Sequence, residues 1–441
     1  MAKGPARVLD GLLVVAFSLV GIGNLVLSLS IREALRVDYF TLALGLSVGV
    51  ILLRLATVGQ RLAAWWQGLL FFALCLPGFL SQDMTPYGVT KLQALCVMLL
   101  IIVAASAVDD LVWLVSTLSV VLLTVCSLFS VGTLLLGAPD EAGRLTFLGL
   151  NPIGVGRAAG LATILALIYI FASPRKRVRS LVPLLAAASM GVVVVVATGS
   201  RGPLVAIGAA FAALLLLMAV NRRMSLRALA VVATVAILGS SFAGFIGGSG
   251  LSRILSASDS GRGLLYEESL ALALASPLGI GWGRLGQYIV DFGVTDTQGL
   301  YPHNVFLEVF VEGGIFALLA VALLVLVSLK RAWGAAAEHA VLTPVLVILI
   351  YALVSAQFSS DIVGNRLLWL SIALALSCRR FVAKSESAGS RRARRRPARR
   401  HRLITRGPVA GSPVTGGGVG SSAALTRMPG PGGRNSGDIS L

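Results

Sequence analysis

Runs of about 20 apolar residues, separated by short polar segments, follow one another along the chain as far as residue 378. One helix needs a run of this length to cross the hydrocarbon core of a bilayer. The pattern therefore predicts an all-α, polytopic membrane protein with about twelve transmembrane helices. We place these spans near residues 11–31, 39–59, 65–81, 92–108, 111–136, 152–172, 180–197, 203–220, 226–246, 303–329, 340–356 and 362–378.

One polar interval, residues 247–302, is much longer than the others and predicts a large extramembrane loop. Within it, residues 261–275 have the pattern of a short amphipathic helix that lies at the membrane surface. Gly279, Gly281 and Gly283 then alternate along the chain, but no strand precedes them, so a dinucleotide-binding turn is not favoured. We interpret this segment as a bend where the backbone approaches a ligand or another helix.

The distribution of charge predicts the orientation of the spans. Lys and Arg are concentrated at residues 61, 175–179, 222–227 and 330–331, which alternate with loops that are poorer in basic residues. The positive-inside rule then places both termini in the cytoplasm and the loop 247–302 on the outer face. The net charge of +18 is concentrated in the tail, where residues 391–402 alone contain eight arginines.

The tail 381–441 is rich in Arg, Gly, Ser and Pro, and this composition predicts a disordered basic segment. On the cytoplasmic side it is expected to contact anionic lipid head groups rather than nucleic acid.

Candidate chemistry is concentrated where the long loop meets the next span. His303 is one of only three histidines and precedes the apolar run that begins at Val305. A group that exchanges a proton near neutral pH at a membrane surface is a candidate catalytic base. Tyr301 and Asn304 flank this histidine. Glu308, one turn into the helix, is expected to orient the imidazole or to face a water-filled cavity.

Three outward arginines are candidate anion ligands. Arg201 lies in the short break ATGSRGP between two apolar spans, where small residues leave backbone N–H groups accessible. Arg262 and Arg284 bracket the amphipathic helix and the glycine-rich bend, and a guanidinium donates paired hydrogen bonds to phosphate oxygens. Arg54 and Arg157, inside or at the edge of spans, are weaker functional candidates, because charged residues within a membrane seldom lack a role. The sequence contains neither an HExxH motif nor a pair of acids spaced like metal ligands in an outer loop. A metal-independent mechanism without a cofactor is therefore favoured.

These residues, taken together, resemble a known family. The segment HNVFLEVFVEGG at 303–314, after a long outer loop, is similar to the signature of the O-antigen ligase and O-antigen polymerase superfamily. The likeness extends upstream through residues 276–283, 261–262 and 200–202, so that it covers roughly residues 190–330. Ala317 departs from the signature, which often has Gly, Thr or Tyr at that position.

The resemblance implies an inverting glycosyltransferase that needs no metal ion and acts at the outer face of the bacterial cytoplasmic membrane. The donor would be a glycan on undecaprenyl diphosphate, and the acceptor a hydroxyl of another glycan or lipid. In this scheme His303 deprotonates the acceptor, while Arg201, Arg262 and Arg284 bind the diphosphate. A ligase is one form of this activity, and a polymerase that uses a second lipid-linked repeat unit is the alternative.

The resemblance also divides the chain into transmembrane helices at 1–150, a catalytic membrane region at 151–380 and the tail at 381–441. A twelve-span transporter is less favoured, because the single large loop makes the two halves unlike each other.

Overall fold

The computed structural model describes residues 4–26, 45–53, 65–80, 84–172, 178–221, 262–289 and 300–378. The span predicted at 226–246 and the tail 381–441 lie outside the described residues, as does part of the loop 247–302.

Helices account for most of the described chain, which confirms the all-α fold class. In chain order they are α1 (Gly4–Val26), α2 (45–53), α3 (Trp65–Cys75), α4 (Pro77–Leu80), α5 (Pro86–Ser106), α6 (Leu111–Leu136), α7 (Pro152–Ala172), α8 (Val178–Ala197), α9 (Arg201–Val220), α10 (Arg262–Ala275), α11 (Leu285–Tyr288), α12 (Val305–Glu338), α13 (Thr343–Ser355) and α14 (Arg366–Ser377). A 3₁₀ turn, Ala340–Leu342, precedes α13.

Five of the described helices, α5, α6, α7, α9 and α12, are long and apolar enough to cross a membrane. The described part also contains shorter apolar segments at Trp66–Phe79, Leu181–Ala197, Ala340–Ser355 and Arg366–Ser377. These helices agree with a polytopic membrane protein, whereas the count of twelve spans stays a prediction.

A small antiparallel hairpin joins α6 to α7, with β1 (Ala138–Pro139) paired to β2 (Leu145–Thr146). Its turn is closed by Asp140, whose carboxylate accepts hydrogen bonds from the backbone and side chain of Arg144. The backbone N–H of Arg144 in particular lowers the pKa of Asp140.

Helix α7 is the central element and is buried along most of its length. It packs against α6, α8, α9 and α13. Small residues allow this close approach, as is usual between helices in a membrane. A side chain at Gly160 would clash with the hydroxyl of Tyr351, and one at Gly191 would clash with the backbone of Ala159.

Helix α12 is broken near its first third. Gly314 has φ 78° and ψ −177°, which no residue of a regular helix adopts. The segment 276–283 packs across this break, so that the N–H groups of Ile280 and Gly281 donate to the carbonyls of Val311 and Glu312 at 2.9 and 3.1 Å. The backbone groups that the broken helix leaves unpaired are therefore satisfied by this segment, as apolar surroundings require.

The alternating glycines make this packing possible. Gly279, Gly281 and Gly283 have φ values of 91°, 98° and 74°, in the region that favours glycine. A Cβ at Gly279 would lie 2.5 Å from the carbonyl oxygen of Glu312, and one at Gly283 would clash with the backbone of Gly88. The predicted bend against another helix is confirmed.

Trp282 joins the same segment to the amino-terminal helices. Its indole Nε1 donates to the carbonyl of Cys75 at 3.0 Å, and its ring stacks on Phe79 with centroids 5.5 Å apart. Its backbone N–H donates to the carbonyl of Gly78 at 3.2 Å. The glycine-rich bend is thus held between α3–α4 on one side and the break in α12 on the other.

We expect Gly283→Ala to lower the free energy of unfolding by about 1–3 kcal/mol, because it combines a positive φ with a backbone clash. Gly208→Ala is the matched control, since a Cβ at this helical glycine of α9 meets open space. It should be neutral or stabilising by up to about 1 kcal/mol. Thermal unfolding of the purified variants in detergent measures both, and equal stability of the two would contradict the packing described.

Candidate functional site

Several loops meet at one end of the helix bundle, which we call the site end. The hydroxyl of Thr85, just before α5, donates to the carbonyl of Gly283 at 3.1 Å. The N–H of Val305 donates to the carbonyl of Ala356 at 3.1 Å, which joins the start of α12 to the loop 356–365. The site end therefore gathers segments that lie as far as 198 residues apart in the sequence.

His303 lies in the turn that leads into α12 and is held in an unusual backbone conformation. Its φ of 56° is rare for a residue with a side chain and indicates local strain. Its ring packs edge to face against Tyr301, with centroids 4.5 Å apart. Asn304 caps α12, and its side chain accepts hydrogen bonds from the N–H groups of Phe306 and Leu307 at 3.1 Å each. The cap and the aromatic contact together define where the imidazole is placed.

A cavity of about 210 Å³ lies beside this turn, and Tyr301 forms part of its wall. Its other polar lining comes from five elements or loops: Asn151, Arg157, Tyr351, Ser355, Ser359, Ser360, Asn365 and Arg366. Apolar residues, among them Val20, Leu161 and Leu367, complete the wall. Tyr301 is thus shared between the histidine turn and the cavity.

Arg157, in the first turns of α7, connects the cavity to the loop 356–365. Its Nη2 donates to the carbonyls of Ser355 and Ser359, both at 2.7 Å, and to Oδ1 of Asn365 at 3.1 Å. The hydroxyl of Tyr351 donates to the carbonyl of Arg157 at 2.7 Å. One side of the guanidinium therefore holds the loop in place.

A buried ion cluster joins α5 to the first turns of α12. Lys91 of α5 is fully buried, and its Nζ lies 2.6 Å from Oε1 of Glu308 and 2.5 Å from Oε2 of Glu312. Both glutamates belong to α12 and are also fully buried. Since they are four residues apart, they face the same side of that helix and can share one ammonium. We call Lys91, Glu308 and Glu312 the lysine cluster.

Each glutamate of the lysine cluster also binds a further segment. Oε2 of Glu308 accepts from the N–H of Ile362 at 2.8 Å, and Oε2 of Glu312 accepts from the N–H of Gly283 at 2.9 Å. The ammonium of Lys91 lies 4.6 Å from the ring centroid of Tyr87. The cluster therefore links α5 and α12 to the glycine-rich bend and to the loop 356–365.

Tyr87 extends this network toward the loop. Its hydroxyl donates to Oδ2 of Asp361 at 2.5 Å, and the N–H of Gly364 donates to Oδ1 of the same carboxylate at 2.7 Å. The loop 356–365 is thus held by α5, α7 and α12 together.

The three predicted phosphate-binding arginines lie on different segments. Arg201 is exposed and begins α9, next to Gly202, where a Cβ would contact the side chain of Phe358 in the loop 356–365. Arg262 is the first residue of α10. Arg284 follows the glycine-rich bend, and its Nε donates to Oε1 of Gln287 at 2.9 Å. Arg201 therefore lies close to the loop 356–365, and Arg284 directly follows the bend that contacts Thr85.

The structure also shows residues that the sequence interpretation missed. The span predicted at 92–108 begins one residue after Lys91, whereas α5 begins at Pro86 and includes this lysine. The signal was present in the sequence, because two acids four apart in an apolar helix require a cation partner. Glu308 pairs with that cation. Among the described residues, no group of three or more His, Cys, Asp or Glu side chains could hold a metal ion.

Fold and site together define a helical membrane protein with a histidine and several arginines at one end of the bundle. Residues 185–322 match the family model for O-antigen ligase. This region is therefore O-antigen ligase-like, which confirms the resemblance, and it includes His303 together with Arg201, Arg262 and Arg284. No curated protein matches the sequence. Lys91, Arg157 and Arg366 lie outside the matched region.

We expect Lys91→Met to lower the free energy of unfolding by about 3–5 kcal/mol, because it leaves two buried carboxylates without their cation. Lys330→Met, at an exposed lysine of α12, is the control and should change it by less than about 0.5 kcal/mol. Thermal unfolding in detergent measures both.

The triple variant Lys91→Met, Glu308→Gln, Glu312→Gln distinguishes two causes of lost stability, the unpaired buried charges and the altered packing. It should be more stable than Lys91→Met alone, since no unpaired charge is then buried. A Lys91→Met protein as stable as the wild type would contradict the cluster.

Proposed function

We propose that this protein transfers a glycan from undecaprenyl diphosphate to an acceptor hydroxyl at the outer face of the bacterial cytoplasmic membrane. The observation that supports this most directly is the placement of His303. The imidazole is held by a strained turn against Tyr301, whose ring also lines a cavity that contains arginines. The family match at residues 185–322 supports the same class of reaction.

In the proposed mechanism, His303 accepts the proton of the acceptor hydroxyl as that oxygen attacks the anomeric carbon. The new carbon–oxygen bond forms while the bond to the diphosphate oxygen breaks, so that polyprenyl diphosphate leaves with the bonding electrons. A single displacement of this kind inverts the anomeric configuration. The energy is carried by the donor itself, and no nucleotide or metal ion is needed.

Arg201, Arg262 and Arg284 are proposed to bind the diphosphate and to stabilise the charge that develops on it. Guanidinium groups suit this role, since they stay charged and donate paired hydrogen bonds to phosphate oxygens. Preorganised donors in a site of low dielectric make large contributions to transition-state stabilisation. The exposed position of Arg201 beside the loop 356–365 is compatible with a donor that arrives from the membrane surface.

Tyr301, Asn304 and Glu308 are proposed to support the histidine rather than to react. Tyr301 limits the rotation of the imidazole, and Asn304 fixes the start of α12. Glu308 acts through Lys91, which holds the first turns of α12 against α5. The site end then faces outward and both termini lie in the cytoplasm.

The same residues would serve a polymerase, in which the acceptor is a second lipid-linked repeat unit. The two reactions share the donor, the base and the leaving group. They differ only in the molecule that carries the acceptor hydroxyl. The match at residues 185–322 supports both forms, so we propose the ligase form and keep the polymerase as the alternative.

We expect His303→Ala to reduce glycan transfer by roughly 100-fold or more, as loss of a general base does. His339→Ala is the matched control, because this exposed histidine caps the opposite end of the same helix. A reconstituted assay with a polyprenyl-diphosphate glycan and its acceptor measures transfer. Full activity of a folded His303→Ala protein would refute the assignment of the base.

We expect Arg201→Ala to weaken donor affinity by roughly tenfold or more while thermal stability changes little, because the side chain is exposed. Arg144→Ala is the control, since this arginine also lies in a polar loop but pairs with Asp140. Donor titration of the two purified variants provides the comparison. Unchanged donor affinity in Arg201→Ala would show that this arginine does not contact the diphosphate.

A further inference from the structure

Two residues of the site end have backbone conformations that a side chain disfavours. His303 has a φ of 56°, and Ser360, in the loop 356–365, has a φ of 68°. Such conformations persist only where the surrounding contacts over-determine them, and they cluster at functional sites. The contacts that hold these two strained residues therefore determine where the imidazole lies.

Arg157 binds the carbonyl groups on both sides of Ala356. Its Nη2 donates to the carbonyl of Ser355, the last residue of α13, and to that of Ser359, both at 2.7 Å. The carbonyl of Ser359 belongs to the peptide unit that precedes the strained Ser360. A cation is favourable at the end of a helix, because the last carbonyls have no partner within it. One nitrogen of Arg157 therefore holds both the end of α13 and the strained part of the loop.

Asn365 adds a third contact, from the far end of the loop. Its Oδ1 accepts from Nη2 of Arg157 at 3.1 Å, while its Nδ2 donates to the carbonyl of Asp361 at 2.8 Å. The carboxylate of Asp361 also acts electrostatically on the guanidinium. The first, middle and last parts of the loop are thus held by one side chain of α7.

Two hydrogen bonds join this loop to the start of α12. The carbonyl of Ala356 accepts from the N–H of Val305 at 3.1 Å, two residues after His303. The N–H of Ile362 donates to Oε2 of Glu308 at 2.8 Å. Val305 and Glu308 are both buried, so the loss of either bond would leave a polar group with a partner missing and no water to replace it. A displacement of the loop therefore moves the start of α12 with it.

We propose that Arg157 is a positioning residue, which acts through the loop 356–365 to hold the histidine turn in its strained conformation. Its importance for the reaction rests on the proposed function, in which the imidazole of His303 is the base. A base is effective only within hydrogen-bond reach of the proton that it accepts, so a small displacement of the turn lowers the rate. Arg157 lies outside residues 185–322, so the family match does not assign it this role.

Hydrogen exchange, followed by mass spectrometry of the full-length protein in detergent, tests this coupling without any substrate. In Arg157→Gln, exchange should become roughly tenfold faster or more in peptides that cover residues 304–308 and 356–365. Arg157→Lys should restore most of the protection, because the three acceptors converge on one nitrogen and an ammonium has three N–H donors. Unchanged exchange at 304–308 in a folded Arg157→Gln protein would overturn the proposal.

Leu342→Ala is the matched control for a general loss of stability. Leu342 is fully buried just before α13, so its truncation leaves a cavity at the end of that helix opposite to Ser355, about 20 Å away. Both variants should unfold at a lower temperature than the wild type. Only Arg157→Gln should show faster exchange at 304–308 and a kcat per folded molecule that is lower by roughly tenfold. Equal changes in the two variants would contradict a positioning role.

The outcomes distinguish this coupling from the proposed function. If exchange at 304–308 rises in Arg157→Gln while the wild type transfers no glycan, the coupling stands and the proposed function fails. If exchange rises but each folded molecule transfers glycan at the wild-type rate, Arg157 is not a positioning residue for the reaction. Should Arg157→Gln fail to fold, Asn365→Ala replaces it, since this variant removes one acceptor and keeps the guanidinium. Exchange at 304–308 should then rise in Asn365→Ala, and wild-type exchange there would overturn the proposal.

Discussion

The architecture of the site end depends on one buried ammonium group. Removing an ion from water into an apolar interior costs several kcal/mol, and the cost is recovered only when partners are placed with good geometry. Lys91 meets this condition because two carboxylates of α12 contact its Nζ and each carboxylate also accepts a backbone N–H. A polar network of this kind admits few alternative arrangements, since any shift leaves a charge unpaired. It therefore fixes α5, α12, the glycine-rich bend and the loop 356–365 relative to one another.

This arrangement also determines which partners the acidic side chains of the site end contact. Glu308 and Glu312 are directed toward Lys91, and Asp361 toward Tyr87. These three acids are therefore engaged by partners within the network.

Hydropathy alone predicted much of the fold. The spans predicted at 111–136 and 152–172 coincide with α6 and α7, because long apolar runs have one stable form in a bilayer. The motifs around His303 likewise indicated the family that the match at 185–322 confirms. In both cases the determining signal lies in short stretches of sequence, and a single run of about 20 residues is enough to predict each span.

The contacts that assemble the site were not predictable in this way. Lys91 and Glu312 are 221 positions apart in the sequence, and no periodicity connects them. The break at Gly314 depends on the approach of the segment 276–283, which the sequence of α12 does not encode by itself. The role of Asn304 was also not predicted, because it stands next to the candidate base. Its side chain caps α12, which is a common role for asparagine.

The central claim is that one direct displacement, promoted by His303, transfers the glycan from its lipid diphosphate. The anomeric configuration of the product, determined by NMR after transfer by the purified wild-type protein from a donor of defined configuration, tests this most directly. The account predicts inversion, with one polyprenyl diphosphate released for each linkage formed and no nucleotide added. Retention of configuration would require a covalent glycosyl intermediate or a second displacement, and would contradict the role assigned to the histidine.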